Sequence, residues 1–86
     1  MYSKTVVVQN KTGLHARPAA IFVQAAQRFN AKITITKDER SVDAKSILKV
    51  LSLGVGQGKS ITIAAEGADE QAAVEALAGM IEAQQE

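Results

Sequence analysis

The chain has 86 residues, with 10 Lys or Arg against 9 Asp or Glu, one His, no Cys and a formal net charge of +1. This length predicts one domain, residues 1–86, and the lack of cysteine excludes disulfides. The near-neutral charge and 3% aromatic content argue against nucleic-acid binding, which needs a concentrated basic surface and stacking side chains. Charged and polar side chains interrupt every apolar stretch. We therefore expect a cytoplasmic protein with no signal peptide and no membrane insertion.

The first half of the chain predicts a strand, a helix and a hairpin. Residues 2–9 contain a run of valines that ends at turn-forming residues, which predicts the first strand. Apolar residues at helical spacing predict a helix over 16–29, and Pro18 fits its first turn because the first amides of a helix have no partner within it. Residues 32–37 alternate between polar and apolar side chains. With the short run at 40–43 they predict a β-hairpin.

The second half predicts a short helix, a fourth strand and a last helix. Ser46 is expected to cap a helix that runs to Leu53 and stops at Gly54. Residues 60–64 alternate as a strand, and Asp69 is expected to cap the last helix. The apolar residues on its inward face are Val74, Leu77, Ala78 and Ile81. The order β-α-β-β-α-β-α indicates an α+β fold with helices on one face of a partly antiparallel sheet.

The sole histidine, His15, lies at the predicted strand-to-helix junction, in Gly-Leu-His-Ala-Arg-Pro-Ala at residues 13–19. Unpaired amides at a helix N-terminus and the positive end of the helix dipole favour a phosphate, so the backbone of Ala16 and Arg17 is a candidate anion site. The Arg17 side chain adds a positive charge. The same field predicts a His15 pKa below about 6.5, leaving a neutral, nucleophilic ring. The alternative is a surface histidine without chemistry.

These residues resemble the active-site signature of HPr, the histidine-containing phosphocarrier family of the bacterial sugar phosphotransferase system. A second family signature is similar to residues 45–54, Lys-Ser-Ile-Leu-Lys-Val-Leu-Ser-Leu-Gly. The resemblance implies an open-faced β-sandwich, in which three helices cover one face of a four-stranded antiparallel sheet of order 1-4-2-3. It also implies that His15 accepts a phosphoryl group on Nδ1 from phosphorylated enzyme I and passes it to a sugar-specific enzyme IIA, while Arg17 stabilises the phosphoryl oxygens. We expect a monomeric carrier, without cofactor or metal, that is not a turnover enzyme on its own.

The resemblance also implies a regulatory role for Ser46. In family members from low-GC Gram-positive bacteria, an ATP-dependent HPr kinase/phosphorylase modifies the matching serine, and the product is a corepressor with a catabolite control regulator. Lys49 departs from this regulated form, which usually has Gly at that position. The alternative for the whole chain is a regulatory paralogue that acts through Ser46 in carbon catabolite repression. In that paralogue the active-site histidine is replaced, so His15 favours the carrier.

An apolar patch beside His15 is expected to receive the protein partners. The short helix that follows Ser46 has more apolar residues than two turns can bury, so some must be exposed. The candidate docking residues are Thr12, Ala16, Ala20, Gln24, Ile47, Leu48, Lys49 and Leu51. A positive cluster of His15, Arg17, Lys45 and Lys49 is expected to face acidic patches on these partners.

Two other kinds of site are less favoured by the sequence. A serine hydrolase using His15 as its general base is disfavoured, because the chain has no Gly-x-Ser-x-Gly elbow, no second histidine and no evident oxyanion partner. A metal site would need three or four ligands, whereas the sequence offers one His, no Cys and no acidic cluster.

Overall fold

The computed structural model describes residues 1–9, 13 and 16–83, which form four strands and three helices. In chain order these are β1 (Tyr2–Val7), α1 (Ala16–Ala26), β2 (Lys32–Lys37), β3 (Arg40–Asp43), α2 (Ile47–Ser52), β4 (Ser60–Glu66) and α3 (Glu70–Ala83). The strands lie in the order β1-β4-β2-β3, and every neighbouring pair is antiparallel. The α+β class and the strand order implied by the resemblance are therefore confirmed. None of the described helices is long and apolar enough to cross a bilayer.

The core lies between the sheet and the helices, and it follows from the two side-chain periodicities of the sequence. In β2 the isoleucines Ile33 and Ile35 are buried, while Thr34 and Thr36 point to the other face of the sheet. The inward face of α1 is made of Ala19, Phe22, Val23 and Ala26. The predicted inward face of α3 is confirmed, because all four of its residues are buried, and Ala73 joins them. The many alanines allow close packing of helix on sheet.

The helix predicted over 16–29 is shorter in the structure, where α1 ends at Ala26. Past that point the backbone tightens, since the amide of Phe29 bonds to the carbonyl of Ala26, three residues back. The next two amides, of Asn30 and Ala31, donate at 2.8 Å to the carboxylate of Asp69. The extension to Phe29 is therefore wrong, because distant polar groups bind the backbone that would continue the helix.

Asp69 precedes α3, but its carboxylate does not act as the predicted cap. Its backbone carbonyl accepts the amide of Ala73, as an N-cap residue should, while its side chain holds the α1–β2 junction. Hydrogen bonds from the amides of Asn30 and Ala31, and the positive charge of Lys45, lower the pKa of the Asp69 carboxyl. This carboxylate therefore joins the N-terminal end of α3 to the junction between α1 and β2.

The end of the first strand also differs from the sequence prediction, because β1 ends at Val7 and not at residue 9. β4 continues past the alternating residues 60–64 to Glu66, directly before Gly67, the residue expected to end it. β4 is the longest of the described strands, and its last residues are paired on both sides: Ala65 is opposite Tyr2 of β1, and Glu66 is opposite Lys32 of β2.

Candidate functional site

The N-terminus of α1 is the centre of the candidate site. The helix begins at Ala16, directly after His15, and Ala16 and Arg17 are both exposed. Its first turn, which the structure describes completely, contains no acidic residue, so no carboxylate there opposes the positive end of the helix. The first amides and the Arg17 guanidinium are therefore accessible to an anion from solvent. His15 and Thr12 lie outside the described residues, and their predicted roles stay predictions.

Gly13 is in close contact with the segment that follows α2. Its φ of +65° lies in the left-handed region, which glycine adopts without strain. A Cβ at this position would lie 2.2 Å from the carbonyl oxygen of Val55 and 2.7 Å from the Cα of Gly56. The backbone at Gly13 therefore packs directly against the segment that follows α2, and only a residue without a side chain fits there.

Ser46 occupies the N-cap position of α2 through its backbone alone. Its carbonyl accepts the amide of Val50 at 3.0 Å, but its hydroxyl makes no capping hydrogen bond within the described structure. The prediction that the Ser46 side chain caps this helix is therefore wrong. Its φ of −115° and ψ of 115° give it extended backbone, and the residue is half-buried. The hydroxyl is consequently not committed to the helix terminus.

Lys45 does not belong to the positive cluster predicted around His15. Its ammonium donates at 2.7 Å to the carbonyl of Phe29, just past the C-terminal end of α1. The neighbouring Gln27 donates to the carbonyl of Lys45 at 3.0 Å, which holds the start of α2 against that same end. Lys45 therefore lies at the opposite end of α1 from Arg17, while Lys49 is exposed on α2.

A groove between α1 and α2 brings together three of the candidate docking residues. The groove has a volume of about 270 Å³ and is lined by Ala20, Val23, Gln24, Gln27 and Ile47. Val23 and Gln27 were not predicted from the sequence. The spacing 20, 23 and 24, continued at residue 27 directly after α1, places these four residues on one helix face and could have predicted them.

The apolar residues of α2 and of its C-cap position, Leu53, divide between core and surface. Val50 and Leu53 are buried, and Ile47 and Leu51 are half-buried against the core. Leu48 is 77% exposed, the largest exposed fraction of any described large hydrophobic residue except Met1. A leucine this accessible, next to an open groove, is typical of a protein-binding surface.

Among the described residues no group of three or more His, Cys, Asp or Glu is arranged to hold a metal ion.

Comparison with known proteins identifies the family. Residues 2–83 match the family model PTS-HPr, described as the PTS HPr component phosphorylation site. The chain belongs to the HPr family. Its sequence is 55% identical to the HPr-like protein Crh of Halalkalibacterium halodurans over 82 residues, covering 95% of this chain and 98% of that protein. It is 48% identical to the phosphocarrier protein HPr of Haemophilus influenzae over 81 residues, covering 94% and 95% respectively.

A solved structure supports the same assignment. HPr-C-His from Thermoanaerobacter tengcongensis superimposes with a TM-score of 0.92 at 51% identity, covering 95% of this chain and 92% of that chain. The family resemblance noted from residues 13–19 and 45–54 is therefore confirmed. The related proteins include both a phosphocarrier and an HPr-like protein, so membership alone leaves two roles to be distinguished.

Proposed function

We propose that this chain is a phosphoryl carrier of the sugar phosphotransferase system, with His15 as the group that is modified. The observation that carries the proposal is the position of His15 directly before the exposed, acid-free N-terminus of α1. A carrier must release its phosphoryl group to a second protein, so its site must be shallow. The exposure of Ala16 and Arg17 fits that requirement better than a buried site would.

In the proposed reaction the neutral Nδ1 of His15 attacks the phosphorus atom carried by enzyme I. The new N–P bond forms as the bond to the enzyme I donor breaks, and the electron pair of that bond leaves with enzyme I. The amides at Ala16 and Arg17, together with the Arg17 guanidinium, stabilise the negative oxygens of the transferred group. Transfer to enzyme IIA is the same displacement with His15 as the leaving group.

We further propose that the partners dock on the α1–α2 surface, defined by the groove residues and Leu48. This surface adjoins α1 and combines apolar side chains with the amide side chains of Gln24 and Gln27. Enzyme I and enzyme IIA would bind this one surface in turn. The proposed carrier is a monomer in the cytoplasm. Arg17 and Lys49 supply positive charge on the same two helices.

A regulatory role through Ser46 is the second candidate. It is supported by the 55% identity to the HPr-like protein Crh of Halalkalibacterium halodurans. The Ser46 hydroxyl, which does not cap α2, fits phosphorylation by an HPr kinase/phosphorylase and binding to a catabolite control regulator. This role and the carrier role are compatible in one protein. His15 makes the carrier the primary proposal.

Intact-mass measurement separates the two roles. The wild type, His15→Ala and Ser46→Ala are each incubated with phosphoenolpyruvate and catalytic enzyme I, and in parallel with ATP and an HPr kinase. The carrier proposal predicts an acid-labile phosphoryl group from phosphoenolpyruvate on the wild type and on Ser46→Ala, but not on His15→Ala. Absence of that group from the wild type would refute the proposal. An acid-stable group added from ATP to the wild type and to His15→Ala, but not to Ser46→Ala, would support the regulatory role.

A further inference from the structure

We infer that Lys37 is a positioning residue for the loop that carries His15, acting through the segment after α2; this rests on the carrier function proposed above. Lys37 is the last residue of β2, and its side chain extends to the C-terminal end of α2. Its ammonium lies 3.1 Å from the carbonyl oxygen of Leu53 and 3.1 Å from that of Gly54. One side chain of the hairpin therefore binds two successive carbonyls where the chain leaves the helix.

These carbonyls lie where a helix needs an external donor. The last carbonyls of a helix have no amide partner within it, and they form the negative end of its dipole. Here the amide of Gly54 turns back to the carbonyl of Leu51, and Gly54 itself has a φ of +64°. The carbonyls of Leu53 and Gly54 accept charge-assisted hydrogen bonds from the Lys37 ammonium.

Without the two Lys37 hydrogen bonds, the segment that leaves α2 would be easily displaced. Glycines precede and follow Val55, so the peptide planes on either side of it rotate at little cost. Burial of the Val55 side chain fixes its depth in the core, but it does not fix the direction of its carbonyl. At the far end the segment is held by backbone bonds of 2.7 and 2.9 Å between Val8 and residues 58–59. Lys37 provides the corresponding hydrogen bonds at the α2 end of the segment.

The Val55 carbonyl is also the surface against which Gly13 packs, two residues before His15. The position of a Gly13 Cβ, 2.2 Å from that oxygen, shows how little clearance there is. Lys37 holds the Gly54–Val55 peptide through the Gly54 carbonyl, and this peptide directly precedes the Val55–Gly56 peptide that contains the Val55 oxygen. A shift of the Gly54–Val55 peptide would therefore move the Val55 oxygen toward Gly13 or away from it. Either change would move Gly13, which precedes His15 by two residues in the sequence. Lys37 would thus act on phosphoryl transfer without touching the phosphoryl group.

The hairpin provides a matched control in Arg40. Arg40 has the same charge and also binds the end of α2, but it donates at 3.1 Å to the carbonyl of Ser52 and not to Leu53 or Gly54. We compare Lys37→Met, which keeps an unbranched chain but removes the ammonium, with Arg40→Met and with the conservative Lys37→Arg. Thermal unfolding of each variant shows whether the fold is retained.

The measurement is steady-state phosphoryl transfer from phosphoenolpyruvate-charged enzyme I to each variant. We expect Lys37→Met to lower kcat about tenfold and to leave KM nearly unchanged. This loss is smaller than the roughly hundredfold loss of rate that a 1 Å misplacement of the reacting groups causes. Arg40→Met should stay near the wild type, and Lys37→Arg should recover most of the loss. A wild-type rate for Lys37→Met, or an equal loss in Arg40→Met, would overturn the inference.

A second measurement keeps this inference separate from the carrier proposal. If the wild type accepts no phosphoryl group, the carrier proposal fails, and amide hydrogen exchange then decides the role of Lys37. We expect Lys37→Met to exchange faster than the wild type at Gly13 and at Gly54, whose amide bonds to the carbonyl of Leu51, and Arg40→Met to exchange at the wild-type rate there. Equal exchange in the two variants at both amides would overturn the inference independently of enzyme I.

Discussion

Replacement of Gly13 by alanine tests the packing on which the candidate site depends. The new methyl group would meet the Val55 carbonyl oxygen at 2.2 Å and the Gly56 Cα at 2.7 Å, both of them backbone atoms that cannot swing aside. The left-handed φ of +65° costs an L-residue about 1–2 kcal/mol. Overpacking adds about 1–3 kcal/mol. We therefore expect Gly13→Ala to lower the free energy of unfolding by about 2–5 kcal/mol, compared with a total of about 4–13 kcal/mol for a domain of this size.

Gly54→Ala is the matched control, because comparing the two variants separates the energetic cost of the close contact from that of the left-handed backbone conformation. Gly54 has nearly the same φ, +64°, but no heavy atom lies within 4 Å of its Cβ position. Gly54→Ala should therefore lower the free energy of unfolding only by the conformational cost, about 1–2 kcal/mol. Urea unfolding, followed by circular dichroism, measures both values. If Gly13→Ala is no more destabilising than Gly54→Ala, the loop does not pack on residues 55–56 as described.

Three further predictions concern the docking surface, the α1–β2 junction and the histidine. Leu48→Asp should weaken binding to enzyme I but change the free energy of unfolding by less than about 0.5 kcal/mol, because the residue is 77% exposed. Val7→Asp on the sheet is its control, and equal weakening by both would refute the docking surface. Because the Asp69 pKa is lowered by folding, its contribution is present above the ordinary value of 3.8 and lost as pH falls through the folded value. Asp69→Asn should therefore be less stable at pH 7 and lose less stability on acidification in urea titrations; an acid dependence like that of the wild type would contradict this. Proton NMR should give His15 a pKa below about 6.5, and a higher value would refute the predicted effect of the helix N-terminus.

Local sequence patterns predicted most of the elements, because alternation and helical spacing report burial directly. Ile33 and Ile35 in β2, and Leu77 and Ile81 in α3, lie in the core where their periodicity placed them. The strand order did not follow from periodicity. It came from the family resemblance, because spacing along the chain contains no information about which strands are neighbours.

The errors arose where groups distant in sequence bind the backbone. The apolar pattern supports a helix as far as Phe29, but the carboxylate of Asp69 binds the two following amides, and the ammonium of Lys45 binds the Phe29 carbonyl. The same interaction removes Lys45 from the positive cluster. No local pattern contains these contacts, because they depend on the packing of α1 against α2 and α3. Ser46 is a different case: it has the residue type of a cap and the N-cap position, yet its hydroxyl makes no capping hydrogen bond.

The most direct test of the carrier proposal is whether one molecule of this protein relays many phosphoryl groups. Enzyme I, phosphoenolpyruvate and a sugar-specific enzyme IIA in excess are mixed with one-twentieth of a molar equivalent of this protein, and phosphorylated enzyme IIA is quantified. The phosphocarrier of Haemophilus influenzae, assayed in the same mixture, shows that the enzyme I and enzyme IIA are active. A carrier that regenerates free His15 in each cycle predicts more phosphorylated enzyme IIA than protein added, and none with His15→Ala. Phosphorylated enzyme IIA that never exceeds the His15→Ala background would contradict the account.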